Sequence, residues 1–225
     1  MGGPISLGRF LGVHVRVESS LFLLAAFVVF NGYQASGLSG VSYELTFVAC
    51  LFLCIFLHEL GHAAAARAFG IETRDITLSF FGGYARLSRA PTGWAEAAIS
   101  AAGPAVNLAI AAFLYWWIRA VEHSAQSLRL FFDLAWANLL LGAFNLLPGY
   151  PLDGGSIARA ALSRFMPRRR ARLTVGYFGI AIGAGLVLLG FWGFRGVSYT
   201  MFVGLLLIFA AAVEIKSAKG TAPRD

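Results

Sequence analysis

The chain has 225 residues, 58% of them hydrophobic and 13% charged, with a net charge of +7. A soluble domain carries about a quarter charged residues, so composition argues against a soluble fold. Long continuous apolar runs argue against a transmembrane β-barrel, whose strands alternate. The expected class is an all-α polytopic membrane protein with about six transmembrane helices.

Residues 1–17 carry Arg9, His14 and Arg16 and lack the apolar core of a signal peptide. The stretch 8–17 reads as a short strand or an interfacial segment. A first span follows at roughly 19–30, with its limits between about 18 and 38. Residues 31–42 contain three glycines and no Lys or Arg, and read as a loop.

The second span, about 45–69, holds the feature around which the chain is organised: Phe56-Leu57-His58-Glu59-Leu60-Gly61-His62. Ionisable side chains inside an apolar span are costly and mark function. The spacing is H-E-x-x-H, which on a helix sets two imidazoles on one face with a carboxylate beside them. Two imidazoles plus a carboxylate suit zinc, with the fourth position left to water. The competing reading is a pair of histidines that only hydrogen-bond between helices. Cys50 and Cys54 lie in the same helix one turn apart and read as small packing residues rather than ligands.

Residues 70–91 break the helical pattern. Ile76-Thr77-Leu78-Ser79-Phe80 alternates, and a second short run follows Gly82-Gly83, which together predict a small membrane-associated β-hairpin. Further spans are expected at about 96–118, 128–147, 173–191 and 198–213. Asn107 and Asn145 lie in or at the end of two of them, where each either bonds another helix or meets substrate.

Among the eleven acidic residues, Asp153 stands apart. It follows Pro148 and Pro151, which block a regular helix, and irregular backbone at membrane depth survives only where it is buried or lines a cavity. A metal ligand and a helix N-cap both fit there. The remaining 149–172 segment reads as an arginine-rich linker. Fifteen of the 18 Lys and Arg residues fall on one side of a six-span layout, so both termini, the hairpin and Asp153 are expected to be cytoplasmic. The arginine run favours anionic lipid, and no nucleic-acid partner is expected.

The two motifs together, Phe56–His62 and Asn145-Leu146-Leu147-Pro148-Gly149-Tyr150-Pro151-Leu152-Asp153-Gly154-Gly155, resemble the site-2 protease family of intramembrane zinc metalloproteases. Phe80-Phe81-Gly82-Gly83 and Ser100-Ala101-Ala102-Gly103-Pro104-Ala105-Val106-Asn107 agree with it. The resemblance implies one Zn2+ per chain held by His58, His62 and Asp153, with Glu59 as general base. It implies substrate contacts at Asn145, Asn107, Gly82 and Gly83. The substrate would be a membrane-spanning protein, cut near its cytoplasmic end in a prokaryotic cell membrane. The whole chain would be one domain, its catalytic core at about 45–160 and accessory spans at about 18–38, 173–191 and 198–213. A metal-ion transporter and a non-catalytic binder of membrane helices are the alternatives, and oligomeric state is not legible.

Overall fold

The computed structural model describes residues 4–10, 12–79, 82–122, 124–192 and 199–220. Ten elements follow in order: β1 (Ile5–Phe10), β2 (Val13–Val17), α1 (Ser20–Ala68), β3 (Thr73–Ser79), β4 (Gly82–Leu87), α2 (Gly93–Ala120), α3 (Ala125–Asn145), α4 (Asp153–Leu162), α5 (Arg168–Trp192) and α6 (Tyr199–Gly220). Five helical stretches are long and apolar enough to cross a membrane: Ser36–Ala68, Gly93–Ala120, Ser127–Asn145, Arg168–Trp192 and Thr200–Gly220. The fold class is therefore the helical membrane class read from composition, with a small sheet. Phe80 and Phe81 of the glycine-pair motif lie outside the described residues.

The expected loop at 31–42 is instead helical. Helix α1 continues through it and is broken only at Ser36 (φ −153°) and Gly37 (φ 61°, ψ −143°). Glycine tolerates the second of these conformations without steric cost. The arm before the break, 20–35, runs roughly 24 Å at 1.5 Å per residue, short of the ~30 Å hydrocarbon thickness. It occupies the place of the expected first span.

The chain divides into two compact units, 1–90 with 102–143, and 91–101 with 144–225. In the first unit, four strands form one sheet in the order β1-β2-β3-β4. The hairpin expected at 76–87 is present as β3 and β4, paired antiparallel with Leu78 opposite Gly83. The 8–17 stretch supplies half of β1 and all of β2. Strand β2 pairs with β3 in parallel, Val15 beside Ile76, and α1 forms the crossover between them. Val17, Ile76 and Leu78 meet Ala63, Ile55, Phe56 and Leu60 of α1, so the sheet lies on the helical turns that carry the H-E-x-x-H motif.

Helix α1 ends in a Schellman motif: Ile71 N–H bonds Ala66 C=O and Gly70 N–H bonds Arg67 C=O. Gly70 takes the required left-handed φ of 67°. This closure turns the chain into β3. Helix packing in this unit depends on small residues, as expected in lipid. A Cβ on Gly61 would fall 2.9 Å from the Ala102 carbonyl oxygen, and one on Gly142 would touch Leu108.

In the second unit the expected linker contains a helix. Segment 146–152 turns irregularly through Pro148 and Pro151, and α4 begins at Asp153 itself. Leu152 occupies the N-cap position and makes no side-chain cap, so Asp153 is the first helical residue and not the cap. Helices α5 and α6 pack closely through Gly176, Gly179, Gly183 and Gly204.

Candidate metal centre

His58, Glu59 and His62 sit on the sheet-backed part of α1 and are 6%, 5% and 9% exposed. For three ionisable groups in a membrane helix this burial demands specific partners. The i, i+4 spacing brings the two rings edge to face, with centroids 4.7 Å apart, and their Nε2 atoms 3.0 Å apart. Two nitrogens sharing a tetrahedral zinc at ~2.05 Å bonds sit roughly 3.3 Å apart, so the rings are already posed for one ion.

The wall opposite them is the Gly103 backbone of α2. A Cβ there would collide with His62 Nε2 and fall 2.6 Å from His58 Nε2. The absent side chain is thus what leaves room where the imidazole nitrogens converge. Glu59 is bordered in a similar way by β4. A Cβ on Gly83 would lie 2.6 Å from Glu59 Cγ and 2.9 Å from its Oε1.

Behind His58 runs a buried hydrogen-bond chain. His58 Nδ1 meets Asn107 Oδ1 at 2.5 Å. The Asn107 amide nitrogen donates to Asn138 Oδ1 at 2.8 Å. Asn138 in turn donates to the Leu134 carbonyl at 2.9 Å. Both asparagines are 0% exposed. Asn107 therefore faces protein at both ends of its amide and backs the histidine. Asn138 was not visible as a site residue in the sequence. Its signal would have been a lone amide in an apolar helix, with nothing local to name its partner.

In the second unit, Asn145 is the last residue of α3 and partly buried, and Asp153 opens α4, also partly buried. Glycines make that segment possible. A Cβ on Gly155 would meet the Gly149 carbonyl at 2.8 Å. Tyr150 packs inside, 5.5 Å from the Arg159 guanidinium carbon over its ring, and burial pushes its hydroxyl up to about 12. The same unit holds a buried ion cluster missed in the sequence. Glu96, 2% exposed, is bonded by Arg159 on one carboxylate oxygen and by Arg168 on the other, the latter at 3.1 Å.

Within the first unit, His58 and His62 bring two metal-ligating nitrogens together. Cys54 is buried one turn before His58.

The chain is similar to known proteins. A model of peptidase family M50 matches residues 46–125 and 118–190. The chain is 36% identical over 233 residues to a putative zinc metalloprotease, Rip3, of Mycobacterium tuberculosis, covering 95% of this chain and 59% of that protein. It is 30% identical over 237 residues to a putative zinc metalloprotease, sll0528, of Synechocystis, covering 97% and 62%. The fold matches a solved site-2 protease from Methanocaldococcus jannaschii with a TM-score of 0.71 at 26% identity, covering 95% of each chain. The chain spans about three fifths of the length of the curated relatives named here.

Proposed function

The chain belongs to peptidase family M50, and on that premise we propose that it is an intramembrane zinc endopeptidase that cuts membrane-spanning proteins near their cytoplasmic end. The observation that carries the reading is the buried trio His58, Glu59 and His62, walled by the side-chain-free Gly103.

His58, His62 and Asp153 are assigned as the donors for one zinc ion. When bound, zinc supplies a Lewis acid that makes water nucleophilic near neutral pH and polarises a carbonyl. Glu59 is the base: one carboxylate oxygen takes a proton from the attacking water and returns it to the leaving amide nitrogen. Asn145 is assigned to the scissile carbonyl, where its amide N–H can donate to the oxygen as charge builds.

A peptide bond within a helix is shielded, so the substrate must be extended before it is cut, and its freed backbone groups need partners. Strand β4 is an edge of the sheet and borders Glu59 through Gly83. These facts support docking of an extended substrate along Gly82 and Gly83 by strand addition. The asymmetry of Lys and Arg supports cytoplasmic termini in a prokaryotic cell membrane.

The test is cleavage of a membrane-spanning reporter by the purified, zinc-loaded chain in lipid. Glu59→Gln is expected to keep zinc and to slow cleavage by about 100-fold or more. A Glu59→Gln protein that cuts at the normal rate would sink the reading. One that never cuts, but moves zinc across vesicles as the unmodified chain does, would favour a transporter.

A further inference from the structure

Asn138 takes no part in the chemistry above, yet its amide is fully buried and bonded at both ends. A primary amide has a donor end and an acceptor end, and a chain of them has a direction. Here the direction is set by a group that cannot reverse. The Leu134 carbonyl only accepts, so the Asn138 nitrogen is the end that faces it. Asn138 Oδ1 is then the end offered to the Asn107 nitrogen. That leaves Asn107 Oδ1 toward His58 Nδ1.

An amide oxygen has no hydrogen to give. The His58 ring must therefore carry its hydrogen on Nδ1, and its lone pair is on Nε2, the nitrogen that faces His62. Without Asn138 the Asn107 amide could turn over with little change in shape. Its nitrogen would then face His58 and favour the other tautomer, with Nε2 capped by hydrogen.

We infer that Asn138 is a positioning residue that acts through Asn107 to fix the His58 tautomer competent to bind a metal. The inference rests on the reading of His58 as a zinc ligand. Side chains that orient a metal-binding histidine from behind are worth about 10- to 100-fold in affinity, which sets the size of the effect.

The experiment measures zinc affinity of the purified full chain by chelator competition, alongside visible absorption of the cobalt-substituted protein and circular dichroism. Asn138→Leu is expected to weaken zinc binding by about 10- to 100-fold and to alter the cobalt spectrum with helix content unchanged. Asn138→Asp is expected to stay close to the unmodified chain, because a carboxyl group in either protonation state offers an acceptor to Asn107. Equal losses in the two variants would reduce Asn138 to a packing role and overturn the inference, as would unchanged affinity in Asn138→Leu.

His58→Ala separates the two levels. If it loses zinc while Asn138→Leu does not, only the positioning role fails. If His58→Ala binds zinc normally, the ligand assignment itself fails. A readout that needs no variant to fold is the imidazole nitrogen shift in histidine-labelled protein, which has four histidines. His58 is expected as the Nδ1–H tautomer, and an Nε2–H signal would overturn the inference.

Discussion

The hydrogen-bond line behind His58 in the first unit is built of neutral groups, and the buried cluster around Glu96 in the second unit is built of charged ones. Behind His58, two amides and a backbone carbonyl form a line in which every donor meets an acceptor. In the first turn of α2, Glu96 is gripped by Arg159 of α4 and Arg168 of α5. The neutral line passes on a sense of direction, since each amide fixes which end its neighbour must present. The ionic cluster has no such sense, because a carboxylate accepts at both oxygens and a guanidinium donates all round. It holds three chain segments together instead, and it does so at the cost of burying charge. The first arrangement suits a ligand that must offer one particular nitrogen. The second suits a tether for the helix that Asp153 begins.

The tether is the easier of the two to break. Glu96→Ala leaves Arg159, whose side chain is 18% exposed, facing no carboxylate at that point. Removing one partner of a buried pair costs about 3–5 kcal/mol. Arg168 is 43% exposed and can turn to water, so the lower end, ~3 kcal/mol, is expected. Denaturant titration in detergent measures it. A loss under ~1 kcal/mol would place this cluster with ordinary surface pairs and remove the contrast.

Next in size is Gly103→Ala, which acts on the metal side. The added methyl would collide with His62 Nε2, and neither backbone can retreat easily from a packed helix pair. Zinc affinity is expected to fall by about 100-fold, or ~2.7 kcal/mol, with much less effect on unfolding than Glu96→Ala has. Normal zinc affinity in this variant would mean that the imidazoles are free to move, and that the line behind His58 orients nothing.

These two residues also show what the sequence could and could not reveal. His58, Glu59 and His62 were legible because spacing alone puts them on one helical face. The apolar helices were legible from composition, and the β3–β4 hairpin from alternation around Gly82-Gly83. Residues 31–42 were misread because glycines without charge signal a loop in water, whereas helices in lipid accept glycine readily. Helix α4 was misread because the arginines of 159–172 looked like linker charge, whereas Arg159 of α4 and Arg168 at the start of α5 bond Glu96. The parallel β2–β3 pairing joins strands separated by all of α1, and no local pattern encodes it. Glu96 and Asn138 share that difficulty: each is an ordinary residue until its distant partner is known.

A smaller effect is expected at β4. Gly83→Ala would bring a methyl within 2.6 Å of Glu59 Cγ. The glutamate is flexible and can shift, so the fold should stand and zinc affinity should hold. The misplaced base is expected to slow cleavage of a membrane reporter by about tenfold, ~1.4 kcal/mol of barrier. Equal losses of zinc and cleavage would show instead that β4 supports the metal side and not the base.

The smallest expected effect isolates burial as the variable in the comparison. Arg172 of α5 meets Glu214 of α6 at 2.8 Å, a good ion-pair distance, but the side chains are 23% and 28% exposed. Water reaches both groups, so less solvation is lost and less is gained. The glycine-lined packing of α5 on α6 also holds the pair in place without it. A double-mutant cycle with Arg172→Ala and Glu214→Ala is expected to give a coupling of ~0.5–1 kcal/mol. The same cycle for Arg159 and Glu96 is expected to exceed ~2 kcal/mol, because Glu96 has no access to water as an alternative partner. If the two couplings were equal, depth would not govern the strength of these pairs. The second unit would then be held by helix packing, with its charges serving orientation in the membrane rather than cohesion.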